Sequence, residues 1–328
     1  MLQGYDLTVE DDFAGLEGCN EILNVTRPDV VEAIHAAYLD AGADAVETNT
    51  FGANLAALAE YDIPERIAEL AESGARIARR AADAASTPER PRWVLGSMGP
   101  GTKLPSLGHL PYATLRDGYQ TQAAAMIRGG VDAFQVETCQ DLLQAKAAIV
   151  GAKRAMAEAG VTLPILVNVT VETTGTMLMG SEIGAALTAL EPLGVDVIGL
   201  NCATGPAEMS EHLRHLSRNA QVGVACMPNA GLPELTADGA RYPLGPEEFT
   251  ATLTQYVDEF GLALVGGCCG TTPEHIRQLS DAVGGRPLAP RTPADVASVS
   301  SLYADTPLRQ DTSYLSVGER TNANGSKA

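Results

Sequence analysis

The feature that most constrains the fold is a repeat in which short, almost wholly apolar runs alternate with longer amphipathic segments. In 64–84, for example, Ile67, Leu70 and Ile77 recur at helical spacing and form one apolar face. Strands that are apolar on both faces are typical of parallel sheets covered by helices. The repeat therefore predicts an α/β protein, with strands at 44–49, 93–98, 132–138, 164–171, 195–201, 221–227 and 261–267.

Both a (β/α)8 TIM barrel and a doubly wound sheet would produce such a repeat. Only seven strands are visible, one fewer than a barrel needs. Residues 1–25 contain no apolar run, so a barrel would lack its first strand, and we expect that strand upstream of Met1.

Charge and hydropathy exclude two classes of partner. The 328 residues carry 22 Lys and Arg against 41 Asp and Glu, a net charge of −19, which disfavours nucleic acid and anionic membrane surfaces. No stretch approaches the roughly 18 apolar residues of a spanning helix, and acidic residues rather than a basic leader follow Met1. We expect a cytoplasmic protein whose six sparse cysteines are reduced.

Three of those cysteines follow predicted strands. Cys202 ends one strand, and Cys268 and Cys269 follow the last one. Carboxyl ends of parallel strands meet on one face, and three thiolates suit zinc. Glycines on both sides of the pair allow the strand to break, so that both neighbours can reach one ion. The alternatives are a buried thiol at Cys202 and a vicinal disulfide or single reactive thiol at the pair.

Two carboxylates also end predicted strands. Burying Glu137 there is costly unless it has a cationic partner, such as a substrate ammonium group, or a structural hydrogen bond to a loop. Glu47 offers the same choice. His212 and His215, three residues apart, are interpreted as surface residues of a helix, and Cys19, Cys139 and Cys226 as small core or loop residues.

Several motifs together resemble the homocysteine S-methyltransferase family, and in particular the homocysteine-binding modules of its cobalamin-dependent, methionine-forming members. The resemblance covers residues 1 to about 285 and rests on ETNTFGAN (47–54), GSMGPG (96–101), ETCQDLLQAKAA (137–148), LNCATGP (200–206), MPNAGLP (227–233) and GGCCGTTPEHI (266–276).

The resemblance implies a TIM barrel with zinc held by Cys202, Cys268 and Cys269. It implies Asn229 as a candidate fourth ligand and Glu137 as a residue that holds the homocysteine ammonium group. Glu47 is a further candidate for substrate binding. Family members carry an Asp-Gly-Ala-Met-Gly-Thr stretch at the end of the first strand, and this chain begins about where that stretch finishes, so we expect a barrel lacking its first strand.

The same resemblance divides the chain into three parts. Residues 1–285 form the N-terminally truncated homocysteine-binding barrel, and 286–312 form a Pro-rich linker. Residues 313–328 resemble the start of a folate (pterin)-binding module, because GERTNANGS (318–326) is similar to its opening strand and loop.

The implied function is zinc-dependent activation of L-homocysteine as a thiolate that accepts a methyl group from methylcobalamin to form methionine. No corrinoid-binding Asp-x-His-x-x-Gly stretch occurs in the chain, so another module would supply methylcobalamin. Folate- and cobalamin-binding modules are therefore the expected partners of this methyltransferase. The alternatives are a stand-alone methyltransferase that uses a sulfonium or betaine donor, and an inactive truncated barrel.

Overall fold

The computed structural model describes residues 1–236, 239–311 and 314–316, and its centre is a curled parallel sheet of seven strands. Each neighbouring pair is parallel, in the order β1-β2-β3-β4-β5-β6-β9. These strands are β1 (Ala45–Glu47), β2 (Trp93–Met98), β3 (Ala133–Cys139), β4 (Ile165–Val169), β5 (Val197–Asn201), β6 (Gly223–Met227) and β9 (Leu264–Val265). Two antiparallel hairpins lie outside the sheet: β7 (Glu234–Thr236) with β8 (Gly239–Arg241), and β10 (Ser298–Ser300) with β11 (Asp305–Pro307).

Helices alternate with the strands. They are α1 (Leu23–Thr26), α2 (Pro28–Asp40), α3 (Leu55–Leu58), α4 (Ile67–Ala85), α5 (Tyr112–Gly129), α6 (Leu142–Ala159), α7 (Ile183–Leu190), α8 (Pro206–Asn219), α9 (Pro246–Phe260) and α10 (Pro273–Val283). Proline occupies the first position of α2, α8, α9 and α10, where its missing N–H costs no hydrogen bond. Short 3-10 turns lie at Leu2–Gly4, Asn20–Ile22, Ala59–Tyr61, Pro64–Arg66, Pro105–Leu107 and Glu191–Leu193.

The predicted fold class is confirmed. All seven predicted strands are present, and residues 1–25 contain turns and short helical segments but no strand. Within the described part of the chain no strand joins β1 to β9, so the sheet is an open barrel wall. The two outer strands are shorter than predicted: β1 covers three residues and β9 only two, and among the described residues each pairs with a single neighbouring strand.

The inner face of the sheet changes from apolar to polar along the strands. At the amino end, Leu95, Ala133 and Leu166 form a small apolar cluster. Side chains two residues further along a strand share a face, and at those positions Ser97, Gln135 and Asn168 are buried. The interior is therefore polar toward the carboxyl ends of the strands.

The segment predicted as a linker packs against the outside of the barrel. The Arg291 guanidinium donates hydrogen bonds to the carbonyl oxygens of Ser217, Ala220 and Val222 at the end of α8. The β10–β11 hairpin contacts α7. Of the predicted module start at 313–328, only 314–316 lie among the described residues. In the part of the chain that the structure describes, no helix is long and apolar enough to cross a membrane.

The close packing of α5 on α6 yields a stability prediction. A Cβ at Gly151 would lie 2.7 Å from the carbonyl oxygen of Arg116 and 2.8 Å from the amide nitrogen of Gln120. Backbone atoms cannot swing aside, so we expect Gly151→Ala to lower the free energy of unfolding by about 1–3 kcal/mol, although alanine favours a helix.

Urea unfolding of the two proteins measures this loss. Gly4→Ala is the matched control, because a Cβ at Gly4 meets no atom within 4 Å. The control should stay within about 0.5 kcal/mol of the parent. An unchanged unfolding midpoint for Gly151→Ala would contradict the packing argument.

Candidate metal centre

The structure brings Cys202, Cys268 and Cys269 together at the carboxyl edge of the sheet. The Sγ atoms of Cys202 and Cys269 lie 3.8 Å apart, and those of Cys268 and Cys269 lie 4.0 Å apart. All three sulfur atoms fall within 4.8 Å of one another. Among the described residues this is the only cluster of three or more His, Cys, Asp or Glu with metal-ligand spacing.

The neighbouring Cys268 and Cys269 both reach the cluster because the strand has ended before them. Three hydrogen bonds hold this irregular backbone against the loop after β6. The Cys268 amide donates to the Pro228 carbonyl at 2.8 Å, and the Ala230 amide donates to the Cys269 carbonyl at 2.9 Å. The Cys269 amide donates to Oδ1 of Asn229 at 3.1 Å. The loop at 228–230 thus sets the direction of both thiols.

Cys202 is held in an unusual backbone conformation. Its φ is +60°, and the φ of Ala203 is +57°, a region that non-glycine residues seldom adopt. The Cys202 amide donates to the Met227 carbonyl at 3.2 Å, which continues the β5–β6 ladder by one residue. Backbone strain of this kind is concentrated at functional sites.

The sulfur geometry fits a tetrahedral metal ion. Zinc–sulfur bonds of about 2.3 Å at tetrahedral angles place the sulfur atoms about 3.8 Å apart. The same separations are far too long for a disulfide bond of about 2.05 Å. All three cysteines are free thiols in this structure, not the vicinal disulfide considered as an alternative. The donor set could hold a soft or borderline metal ion.

The thiols also influence one another electrostatically. Hydrogen bonds from the Cys202 and Cys268 thiols lower the pKa of Cys269. Hydrogen bonding to Cys202 and Cys269, together with burial, raises the pKa of Cys268. Cys269 is the most exposed of the three cysteines.

Glu137 lies at the end of β3 and is almost fully buried, with 5% of its surface exposed. Its Oε1 accepts a hydrogen bond of 2.5 Å from the Ser97 hydroxyl, and its Oε2 accepts one of 3.3 Å from the Asn201 carboxamide. The Asn201 carboxamide also lies 4.0 Å from Sγ of Cys268. A chain of polar contacts thus connects the carboxylate to the thiol cluster.

Two carboxyl groups face this region, those of the buried Glu137 and the half-buried Glu47, and neither forms an ion pair among the described residues. Burial raises the pKa of Glu137 to about 7; the Ser97 hydrogen bond opposes that rise and the charge of Cys269 adds to it. Burial and the negative charge of Glu137 raise the pKa of Glu47 well above its usual range. Oε1 of Glu47 is buried and has no hydrogen-bond partner within the described structure. Such a pair suits a positively charged ligand.

The remaining residues considered in the sequence analysis lie beside the thiol cluster, on α8 or in the core. Asn229 is buried beside Cys269, with its Oδ1 on the Cys269 amide. His212 and His215 lie on α8 outside the cluster. Cys19, Cys139 and Cys226 are buried in the core, as predicted.

Sequence reasoning did not select Ser97 or Asn201 as site residues. Asn201 adjoins Cys202 within the motif LNCATGP (200–206), so its position next to a candidate metal ligand could have identified it as a site residue. Ser97 is separated by 40 residues from the carboxylate it contacts, and only the register of β2 on β3 brings them together.

Comparison with known proteins agrees with this geometry. A family model described as homocysteine S-methyltransferase matches residues 1–283. The chain is 64% identical over 327 residues to methionine synthase of Mycobacterium tuberculosis and 62% identical over 332 residues to that of Mycobacterium leprae. Each match covers the whole of this chain but only 27% of the relative. The chain therefore spans about a quarter of the length of these curated relatives.

Solved structures show the same fold at lower identity. The metallated form of the homocysteine methyltransferase MmuM from Escherichia coli superposes with a TM-score of 0.65 and 20% identity, covering 85% of this chain and 92% of that one. The apo form gives a TM-score of 0.59 at 19% identity, covering 86% and 98%. On the family match and the two close relatives, this chain belongs to the homocysteine S-methyltransferase family, a family of methyltransferases.

Proposed function

We propose that this chain is the homocysteine-activating domain of a methionine synthase. It binds L-homocysteine at the carboxyl face of the barrel, holds the substrate sulfur as a thiolate at a zinc site, and presents it for methylation to methionine. The observation that carries the proposal is the cluster of three thiols beside a buried carboxylate. The two relatives at 62–64% identity, both named methionine synthase, support it.

The donor set favours zinc as the metal. Cys202, Cys268 and Cys269 offer three sulfur ligands, which suit zinc and not the oxygen-preferring Mg²⁺ or Ca²⁺. Three protein ligands leave a fourth position open, as in catalytic zinc sites. Zinc bound there would lower the pKa of a thiol at the open position, so that homocysteine reacts as a thiolate. The buried carboxamide of Asn229, whose Oδ1 accepts a hydrogen bond from the Cys269 amide, is the candidate for the fourth position without substrate.

The chain's own residues bind and orient the amino acid. Glu137 is placed to accept hydrogen bonds from the homocysteine ammonium group, with its carboxylate held by Ser97 and Asn201. Glu47 adds a second carboxyl group, half-buried and close enough to Glu137 to interact with it electrostatically. The substrate sulfur loses its proton before it forms the new bond to the methyl carbon.

The methyl donor would come from outside this chain. The relatives are nearly four times as long, which supports a protein in which separate cobalamin- and folate-binding modules supply methylcobalamin and regenerate it.

A site made of free thiols requires a reducing compartment, which favours the cytoplasm. A stand-alone enzyme with a sulfonium or betaine donor is the weaker hypothesis, since its support is a fold likeness at 20% identity.

An inactive barrel is the competing hypothesis from a different class. No strand among the described residues pairs with the outer edge of β1 or of β9, which favours it, because open strand edges promote association. It predicts a broad unfolding transition and no stoichiometric metal, whereas the proposed function predicts a cooperative transition and one zinc ion per chain.

The zinc prediction is tested by elemental mass spectrometry of the purified chain. We expect about one zinc ion per chain in the parent and little in Cys268→Ser, because two remaining thiols hold zinc poorly. Cys226→Ala removes a buried cysteine outside the cluster and should keep its zinc. A parent that unfolds cooperatively yet contains no zinc would exclude this mechanism.

The role of Glu137 is tested by calorimetric titration of the zinc-loaded chain with homocysteine. Glu137→Gln removes the negative charge that binds the ammonium group, so we expect affinity to fall about 10- to 100-fold, the equivalent of 1.5–3 kcal/mol. Zinc content should not change. Glu208→Gln alters an exposed carboxylate on α8 and is the control. Equal affinity of Glu137→Gln and parent would remove Glu137 from the substrate site.

The raised pKa of Glu137 also predicts how stability depends on pH. Its protonated form is favoured in the folded state, so its stabilisation is fully present below the usual pKa of 4.5 and is lost as pH rises through about 7. In the metal-free chain, the urea midpoint of the parent should therefore fall more from pH 5 to pH 8 than that of Glu137→Gln. Parallel curves for the two proteins would show that Glu137 ionises normally.

A further inference from the structure

Two threonine side chains continue the pairing between β1 and β2 after β1 has ended. The regular parallel pattern extends to Thr48, whose amide donates to the Leu95 carbonyl at 2.9 Å. In a continuing ladder the Ser97 amide would next donate to the Thr48 carbonyl, and the Thr50 amide would donate to the Ser97 carbonyl. The Thr50 amide instead donates to the Thr48 carbonyl at 2.9 Å, because the chain turns at this point.

The hydroxyl groups of the two threonines replace these backbone bonds. The Ser97 amide donates to Oγ1 of Thr48 at 3.0 Å, and Oγ1 of Thr50 lies 2.7 Å from the Ser97 carbonyl oxygen. The two hydroxyl oxygens lie 2.5 Å apart. A carbonyl only accepts, so Thr50 is the donor to Ser97, and Thr48 is therefore the donor to Thr50. The result is a closed ring of three hydrogen bonds that holds Ser97 at both its amide and its carbonyl.

The ring is closed off from solvent. Thr48, Thr50 and Ser97 are each at most 4% exposed. Behind them, the carboxamide nitrogen of Gln122 on α5 donates to the Thr50 carbonyl at 2.8 Å and lies 3.4 Å from the Ser97 carbonyl oxygen. A buried group that loses its hydrogen-bond partner is left unsatisfied, so a methyl group cannot take the place of either hydroxyl.

The ring influences the site through the side chain of Ser97. The Ser97 hydroxyl donates the 2.5 Å hydrogen bond to Oε1 of Glu137, which is shorter than the 3.3 Å contact from Asn201 to Oε2. A hydroxyl can direct a carboxylate only when its own backbone is fixed. On the side of β1, the two threonine hydroxyls fix it.

We propose that Thr48 and Thr50 are positioning residues for Glu137: their hydroxyls hold the backbone of Ser97, so that the Ser97 hydroxyl directs the carboxylate at the substrate ammonium group. The inference rests on the proposed function, in which Glu137 binds that group. It gives the two threonines of the motif ETNTFGAN (47–54) a role that requires neither of them to touch the substrate.

The test measures recognition of the amino group. Zinc-loaded chains are titrated by calorimetry with homocysteine and with γ-mercaptobutyrate, which is the same thiol acid without the amino group. The ratio of the two affinities reports what the ammonium group contributes. We expect Thr50→Val, which replaces the hydroxyl by a methyl group, to lower this ratio about 3- to 10-fold. Thr50→Ser keeps the hydroxyl and should keep the parent ratio. A merely structural threonine would leave the ratio unchanged.

A double variant tests whether Thr50 acts through Ser97. Ser97→Ala should lower the ratio by itself, because Glu137 loses its hydroxyl donor. Adding Thr50→Val to Ser97→Ala should lower the ratio no further, since the hydroxyl that Thr50 positions is already gone. Losses that add in full would contradict the proposal.

Thr48→Val opens the same ring at its other hydroxyl. It should lower the ratio as Thr50→Val does, and it provides the test if Thr50→Val does not fold. Thr26→Val is the matched control, because the Thr26 hydroxyl donates to the Asp12 carbonyl at 2.5 Å, outside this ring. The control should keep the parent ratio. Circular dichroism checks that each protein is folded.

The outcomes separate this inference from the proposed function. A folded, zinc-loaded parent that binds neither thiol overturns both. A parent that binds both thiols equally removes Glu137 from ammonium binding, and this inference with it. A parent that prefers homocysteine, together with folded Thr48→Val and Thr50→Val of unchanged ratio, overturns only the role of the threonines.

Discussion

The site depends on the backbone hydrogen bonds that join the loop at 228–230 to the segment at 268–269. In a continuous strand, Cys268 and Cys269 would point to opposite faces of the sheet. The strand instead ends at Val265, and the loop after β6 supplies a carbonyl, an amide and a carboxamide that fix the next backbone conformation. Two neighbouring thiols can then converge with Cys202 from another strand. Asn229 and Ala230 therefore hold the backbone from which Cys268 and Cys269 reach the site.

Part of this arrangement could be predicted from the sequence because it follows from local pattern. Apolar runs located the strands, and the rule that parallel strands share a carboxyl edge brought Cys202 toward Cys268 and Cys269. The contact between Ser97 and Glu137 could not be predicted in this way. It depends on the register of β2 on β3, which is not encoded in spacing. The outer strands are shorter than predicted because the ladder of each, to a single neighbour among the described residues, spans only three or two residue pairs, and residue pattern does not show where such pairing ends.

The interior of the barrel accounts for the raised pKa of the carboxyl groups of Glu137 and Glu47. The strands begin with an apolar layer and end with buried Ser97, Gln135, Glu137, Asn168 and Asn201. Oε1 of Gln135 and Oδ1 of Asn168 are buried and unpartnered within the described structure, while the corresponding nitrogens contact the Met227 sulfur. The donors to Glu137 are the neutral Ser97 and Asn201, and burial disfavours its ionised form. Among the described residues no ion pair reaches this carboxylate, which fits the ammonium-bearing ligand proposed above.

The path of residues 286–311 changes where this domain should be considered to end. Family motifs and the family match stop near residue 283, yet Arg291 binds three carbonyl groups at the end of α8 and the β10–β11 hairpin packs on α7. A protein cut at 285 would keep every motif but would leave those carbonyls without their guanidinium and uncover the face of α7. The unit that folds is longer than the unit that the motifs define, so a boundary drawn from recognisable sequence would remove part of the barrel's outer wall.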